Sequence, residues 1–172
     1  MKTILITGAA GAIGTSLRRL LADTYRLRLS DLNPVENLDE KEEFMPGDLA
    51  DLDVVNTILR GVDGVIHLGG ISGEDTWDNI MESNIVGTYN VFEASRVAGV
   101  KRVVFASSGD TIRGWDREAP YGAITEGRYE EVPKNWPMVT HDMVRPSSLY
   151  SASKVWGEAL GRHFSDAFGI SV

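Results

Sequence analysis

The sequence predicts an α/β fold built on a doubly wound parallel sheet, with helices on both faces in a three-layer α/β/α arrangement. Short runs rich in β-branched residues alternate along the chain with longer amphipathic stretches, which is typical of such sheets. The first run leads directly into the glycine-rich stretch TGAAGAIG and then into a helical pattern. A length of 172 residues suits one domain with a substantial core.

Hydrophobic periodicity places the elements in order along the chain. Strands are predicted at residues 3–7, 27–30, around Phe44, at 64–68 and at 100–105. Helices are predicted at residues 51–59, 78–98 and 150–168, and along a stripe formed by Ile13, Leu17, Leu20 and Leu21. The helix at 78–98 is apolar on more than one face, which indicates packing against its own sheet and against a second surface such as a partner subunit.

Three glycines, Gly8, Gly11 and Gly14, follow the first strand at intervals of three residues. One glycine permits a tight turn, one lets a pyrophosphate approach the backbone, and one lets helix and strand pack closely. The phosphates would lie at the helix N-terminus, where free amides and the helix dipole favour an anion. The pattern predicts the dinucleotide-binding turn of a Rossmann fold rather than a simple glycine turn.

Acidic residues follow the next two strands. Asp31 could accept hydrogen bonds from an adenosine ribose diol, and its charge would repel a 2'-phosphate, so NAD is favoured over NADP. The alternative is a turn or capping aspartate before Asn33 and Pro34. Asp48, in the stretch GDLAD, is open to two interpretations, a contact to the adenine end of a cofactor or a cap of the following helix.

Tyr150 and Lys154 stand four residues apart and therefore on one face of a helix. A nearby ammonium and a positively charged nicotinamide would both favour a phenolate, so Tyr150 could act as general base toward a substrate hydroxyl. Ser107 and Ser108 follow a strand at the edge where open α/β sheets bind ligands. Each serine could instead belong to a turn or a helix cap.

Composition excludes several classes of function. A net charge of −8 argues against binding nucleic acid or an anionic membrane surface. The absence of Cys excludes disulfides, and His67 lacks a second histidine at metal-ligand spacing, so we expect no metal site and a structural role for His67. No apolar run approaches the roughly 18 residues that a membrane span needs. We expect a cytoplasmic protein.

The stretch 109–148 shows no sustained period. Four of the six prolines lie there, together with the aromatic residues Trp115, Tyr121, Tyr129 and Trp136. A loop of this length inside one domain, which we take to span residues 1–172, indicates a functional segment or an insertion.

In its motifs the chain resembles the extended short-chain dehydrogenase/reductase family of NAD-dependent sugar epimerases, dehydratases and dehydrogenases. TGAAGAIG, Asp31, GDL, HLGG, Asn84, FASS and YSASK occur in the family's order. The resemblance implies a triad of Ser108, Tyr150 and Lys154. It implies NAD contacts from Gly8, Ala10, Gly11, Ala12, Ile13, Gly14, Asp31, Leu32, Asp48, Leu49, Leu68, Gly69, Gly70, Asn84, Ser107, Tyr150 and Lys154.

A closer resemblance is to the uronate dehydrogenase subgroup, which oxidises galacturonate or glucuronate with NAD to an aldarolactone. SDLNP, HLGGIS and the stretch RPSSLYSASK carry this likeness. It implies sugar contacts from Ser72, Ser108, Tyr150 and Gly109, which stands where the subgroup has an asparagine. The stretch 113–145 is longer than in that subgroup.

The family's C-terminal substrate lobe is expected to be absent from this chain, which ends at Val172. The family likeness also implies a homodimer through helices 78–98 and 150–168. Two other functions stay open, a nucleotide-sugar epimerase or dehydratase that returns its hydride, and a non-catalytic NAD-binding regulator.

Overall fold

The computed structural model describes residues 1–172 and contains one sheet of five parallel strands. The strand order is β3-β2-β1-β4-β5, and the strands are β1 (Thr3–Thr7), β2 (Arg26–Ser30), β3 (Glu42–Phe44), β4 (Gly64–His67) and β5 (Val103–Phe105). The chain therefore winds outward from β1 in one direction and from β4 in the other. Doubly wound sheets bind ligands at this switch point, outside the carboxyl ends of the strands.

Six α-helices connect and cover the strands: α1 (Ala12–Leu21), α2 (Leu52–Ile58), α3 (Trp77–Ile80), α4 (Gly87–Ala98), α5 (Tyr121–Thr125) and α6 (Leu149–Phe168). A π-helical segment, Met81–Val86, joins α3 to α4 without a break, so the single helix predicted at 78–98 is present with a local distortion. None of the helices combines the length and the apolar character that crossing a bilayer requires.

The core has two layers, one on each face of the sheet. Leu5 and Ile6 are adjacent in β1 and fully buried, yet they belong to different apolar clusters because successive strand residues point to opposite faces. Leu5 packs with Val55 of α2, Phe92 of α4 and Phe164 of α6, whereas Ile6 packs on the side of α1. The doubly wound fold predicted from the sequence is confirmed.

Local signals set the ends of the helices near the site. The Asp51 carboxylate accepts hydrogen bonds from the N–H groups of Asp53 and Val54 at the start of α2. Ser148 and Ser151 form a capping box at the start of α6, and Gly169 ends that helix in the left-handed conformation. Tyr150 is therefore the second residue of a well-defined helix.

One predicted strand is shorter than expected. The sequence predicts extended chain from residue 100, but β5 begins at Val103. The N–H of Val100 donates to the carbonyl of Ser95, because Gly99 turns back at the end of α4 with a φ of 75°. Val100 thus completes the helix cap instead of the sheet.

The stretch 109–148 contains only short helical elements. These are α5 and the 3₁₀ turns Gly109–Thr111, Arg113–Arg117 and Tyr129–Glu131. Arg145 joins the two ends of the stretch, since its N–H donates to the carbonyl of Thr111 and its carbonyl accepts from the N–H of Gly114. Its guanidinium also lies 4.8 Å from the centre of the Trp115 ring.

Candidate functional site

A cavity of about 820 Å³ opens at the carboxyl ends of β1, β2 and β4. It lies at the switch point of the sheet, and its volume falls within the range of small-molecule sites. Its wall contains these residues that the sequence singled out: Gly8, Ala10, Gly11, Ala12, Ile13, Gly14, Asp31, Leu32, Asp48, Leu49, Leu68, Gly69, Gly70 and Ser72.

The glycine turn is packed too closely to accept side chains. Gly8 has a φ of +68°, and a Cβ built there would lie 2.8 Å from the backbone nitrogen of Gly69. A Cβ on Gly14 would lie 2.6 Å from the Gly8 carbonyl oxygen. Gly11 precedes α1 without a side-chain cap, so the first amides of the helix keep no protein partner and the first turn lines the cavity. These features fit a pyrophosphate.

Two carboxylates lie in the cavity wall, and each also accepts hydrogen bonds from backbone N–H groups. Asp31 accepts hydrogen bonds from the N–H of Ala10 at 3.0 Å and from the N–H of Asn33 at 2.9 Å. Asp48 accepts from the N–H of Ala50 at 2.9 Å. The turn role that the sequence left open for Asp31 is therefore present. Asp48 does not cap the following helix, since the residue that caps α2 is Asp51. A carboxylate has lone pairs for further donors, so the same groups could receive ribose or adenine donors.

Six further wall residues were not among the predicted NAD or sugar contacts, although most of them lie in the quoted motifs: Ser30, Asn33, Pro34, Gly47, Ile71 and Ser83. Ser30 is buried, and its hydroxyl is the only buried side-chain polar atom of the chain without a hydrogen-bond partner. The sequence signal that could have identified Ser30 as a wall residue is its position directly before Asp31. An unpartnered hydroxyl in the wall leaves a donor and an acceptor for a bound molecule or water.

Lys154 is buried on α6, next to the end of β5. Its Nζ donates a hydrogen bond to the carbonyl of Ala106 at 2.9 Å and lies 5.7 Å from the centre of the Tyr150 ring. Burial lowers the pKa of Lys154. The N–H of Ala106 in turn donates to the carbonyl of His67, which directly precedes the cavity residue Leu68. Neither Tyr150 nor Lys154 lines the cavity, but two hydrogen bonds link Lys154 through Ala106 to His67, the residue before the wall residue Leu68.

The two serines after β5 have different surroundings. Ser108 is half-buried, and its Oγ accepts a hydrogen bond from the N–H of Asp110 at 3.1 Å, which is the turn role considered from the sequence. Ser107 is exposed, and its hydroxyl donates to the carboxylate of Glu158 on α6. Ser108 is therefore the less exposed of the two serines, and neither of them lines the cavity.

Asn84 lies behind the wall rather than in it. It is buried in the π-helical segment, where its Oδ1 accepts from the N–H of Ile71 at 2.7 Å. Its Nδ2 donates to the carbonyl of Ile71 and to the hydroxyl of Ser153, both at 3.0 Å. Because Ser72 follows Ile71, Asn84 joins the candidate sugar-binding loop to α6. π-Helical turns often occur at functional sites.

His67 has a structural environment. It is buried, its Nδ1 lies 2.7 Å from the hydroxyl of Thr7, and its Nε2 lies 3.2 Å from the hydroxyl of Thr88. Desolvation and the nearby charge of Lys154 lower the pKa of His67 to about 3. The imidazole is therefore neutral at physiological pH and crosslinks β1, β4 and α4.

Known proteins are similar to this chain in sequence and in fold. Uronate dehydrogenase of Agrobacterium fabrum is 42% identical over 98% of this chain and 58% of its own length. The NAD complex of a uronate dehydrogenase mutant from Agrobacterium tumefaciens superposes with a TM-score of 0.80 at 41% identity, covering 99% of this chain and 58% of that one. The structure of glucuronic acid dehydrogenase from Chromohalobacter salexigens superposes with a TM-score of 0.82 at 37% identity. The match covers 98% of this chain and 57% of that one.

This chain spans less than three fifths of the length of those relatives. The family model of the NAD-dependent epimerases and dehydratases matches residues 4–172, nearly the whole chain. The chain belongs to the NAD-dependent epimerase/dehydratase family.

Proposed function

We propose that the protein is an NAD-dependent oxidoreductase that oxidises the C1 hydroxyl of a uronate, galacturonate or glucuronate, to an aldarolactone. One observation carries the proposal. The dinucleotide-sized cavity at the switch point is joined through Ala106 and His67 to the buried Lys154 beside Tyr150. The likeness to uronate dehydrogenases supports the choice of sugar.

The residues present fit NAD. The first amides of α1 and the turn Gly8–Gly11 would hold the pyrophosphate, and Asp31 would accept from the ribose diol and disfavour a 2'-phosphate. The wall residues Leu68, Gly69 and Gly70 follow His67, which is linked through Ala106 to Lys154. Bound NAD supplies the hydride acceptor that the oxidation of an alcohol requires.

The chain's own groups then handle the proton and the sugar. Tyr150 accepts the proton of the C1 hydroxyl through its phenolic oxygen. The Nζ of Lys154 lies 5.7 Å from the centre of the Tyr150 ring. Ser108 orients the same sugar oxygen by hydrogen bonding. Ser72 and Gly109 border the sugar from the two loops that follow β4 and β5.

The test is a direct assay of the protein with NAD and each uronate. We expect NADH absorbance to rise with galacturonate or glucuronate, and mass spectrometry to show the lactone. No NADH across a panel of uronates would contradict the proposal. An epimerase or dehydratase, which the family also contains, would instead give product without net NADH.

We also propose a homodimer through α4 and α6. The two helices pack against each other, with the rings of Tyr89 and Phe164 at 6.5 Å, and still leave Tyr89, Val97 and Phe168 exposed. Such an apolar surface on two adjacent helices favours a partner. A cytoplasmic location stays a prediction from the sequence.

A further inference from the structure

A second cavity, of about 510 Å³, is formed entirely by residues 109–139 and shares no wall residue with the first. We call it the aromatic cavity. Three of its wall residues are aromatic and three are charged: Trp115, Tyr121, Trp136, Asp110, Arg113 and Asp116. This combination of apolar faces with a few polar groups is typical of a small-molecule site.

Hydrogen bonds hold two of the rings in place. The indole N–H of Trp115 donates to the carbonyl of Met143 at 2.7 Å, and the hydroxyl of Tyr121 donates to the carbonyl of Pro137 at 2.7 Å. Tyr121 stands edge to face with Trp115, at 5.9 Å and 70°, and with Trp136, at 6.0 Å and 87°. The rings are arranged before any ligand arrives, which lowers the entropic cost of binding.

Trp136 remains 42% exposed beside this fixed pair. An exposed indole face is electron-rich, so it attracts the polarised C–H groups on the apolar face of a pyranose ring. A sugar ring stacked on Trp136 would cover apolar surface that now faces water. The observation points to a ligand with one flat apolar face and polar edges.

The charged wall residues could form hydrogen bonds with the hydroxyl groups at the edge of such a ring. Arg113 lies 3.4 Å from the carboxylate of Asp110 and 3.7 Å from that of Asp116, and its side chain is largely exposed. Exposed pairs at these distances are weak, so sugar hydroxyls could replace them as hydrogen-bond partners. Two carboxylates and one guanidinium carry a net charge of −1, which favours a neutral sugar over a second uronate.

The aromatic cavity begins directly after Ser108 of the proposed active site. It begins at Gly109 and Asp110, and the Oγ of Ser108 accepts the hydrogen bond from the N–H of Asp110 at 3.1 Å. The 3₁₀ turn Gly109–Thr111 packs against α6, which carries Tyr150. A ring in this cavity would therefore lie next to the sugar that Ser108 and Tyr150 hold.

We propose that the aromatic cavity binds a second, neutral pyranose ring, linked glycosidically to the uronate that is oxidised. The preferred substrate is then a disaccharide with a uronate at its reducing end. The free C1 hydroxyl of the uronate is the group oxidised, and the second ring stacks on Trp136. The inference rests on the proposed function for its chemistry and on the second cavity for its specificity.

The experiment compares galacturonate with a disaccharide in which a neutral hexose is linked to O4 of galacturonate. We expect kcat/KM to be about tenfold higher for the disaccharide. Trp136→Ala should remove this advantage and leave galacturonate turnover within about twofold, while Trp136→Phe should keep part of it because an aromatic face remains. Tyr129→Ala is the matched control, since Tyr129 is an exposed aromatic residue outside the cavity wall.

Equal kcat/KM values for galacturonate and the disaccharide would contradict the second subsite. An equal loss of kcat/KM for both sugars in Trp136→Ala would contradict it as well. Neither result would contradict the oxidation of the uronate. If neither sugar is oxidised, the proposed function fails, and calorimetric titration of the disaccharide decides the subsite separately. Binding that weakens about tenfold in Trp136→Ala and not in Tyr129→Ala supports it. No binding, or binding that is indifferent to Trp136, contradicts it.

Discussion

The backbone N–H of Tyr150 donates a hydrogen bond to the carboxylate of Glu74 at 3.2 Å. The other carboxylate oxygen accepts from the N–H of Leu149 at 3.3 Å. These bonds join the loop after Ser72 to the first turn of α6, and they lower the pKa of Glu74. A carboxylate at a helix N-terminus is also stabilised by the helix dipole. Glu74 thereby positions the residue proposed as general base.

We expect Glu74→Gln to lower kcat, by up to about 100-fold if Tyr150 moves by about 1 Å, while NAD affinity stays unchanged. The amide retains one acceptor but loses the charge that attracts both N–H groups. Asp75→Asn is the matched control, because the Asp75 carboxylate accepts from Thr76 and Asn79 and leaves α6 untouched. Equal effects of the two substitutions on kcat would contradict a positioning role for Glu74.

Replacing Tyr150 by Phe should remove the proton acceptor and keep the ring. We expect kcat to fall by about 10²- to 10⁴-fold, the usual contribution of a general base. The dissociation constant of NAD, measured by calorimetry, should stay within about twofold because the glycine turn is unaffected. A Phe variant with near-normal turnover would exclude Tyr150 as the base.

Acid should destabilise the protein through His67. The folded-state pKa of about 3 lies below the ordinary value of 6.5, so between these values the unfolded chain binds the proton and the folded chain does not. Stability is therefore full above pH 6.5 and falls as pH decreases toward 3, by up to about 4 to 5 kcal/mol. Urea denaturation from pH 7 to pH 4 should show this slope, and His67→Gln should flatten it. An unchanged slope in the variant would assign the effect to other groups.

We expect Gly14→Ala to disturb the glycine turn, because Gly14 lies in the first turn of α1 and packs against it. The new Cβ would lie within 2.6 to 2.7 Å of backbone atoms of Gly8 and Ala9, which cannot rotate away. We expect a loss of about 1 to 3 kcal/mol in the free energy of unfolding, together with weaker NAD binding. Gly73→Ala is the control, since a Cβ there meets no atom within 4 Å. If Gly14→Ala binds NAD with normal affinity, NAD binding does not depend on the close packing of Gly14 against Gly8 and Ala9.

Light scattering should report a dimer at micromolar concentration. Val97 on α4 is 64% exposed, and Val97→Asp would place a charge in the proposed interface, so we expect a monomer. Leu20→Asp tests the same change on α1, where Leu20 is 75% exposed and outside that surface. A monomeric parent protein, or dissociation by both substitutions, would contradict the interface through α4 and α6.

Most of the fold could be predicted because its signals are local. The strand, glycine turn and helix that begin the chain lie within about twenty residues, and the spacing of Gly8, Gly11 and Gly14 has one structural meaning there. The family motif predicts that Asn84 contacts the cofactor, and the structure buries Asn84 behind the cavity wall, bonded to Ile71 and Ser153. Helical periodicity does not reveal a π-helical segment, since the widened turn depends on the surrounding packing.

Ser107 shows the same limit. Its position after β5 predicts a ligand contact, which stays a prediction, and does not reveal that its hydroxyl donates to Glu158, a residue 51 positions further along the chain. Strand ends define which edge of the sheet a residue occupies. They do not define which of two adjacent hydroxyls faces inward, because that depends on what packs against the loop.

The sequence by itself determined the doubly wound sheet, the dinucleotide turn and the identity of the residues that meet at its edge, since these follow from periodicity and short spacings. Tertiary structure decided how they meet: Lys154 on the carbonyl of Ala106, Glu74 on the N–H of Tyr150, and Trp115, Tyr121 and Trp136 around one cavity. Each of these contacts joins segments that no local propensity connects. They form only when packing of the whole domain brings those segments together.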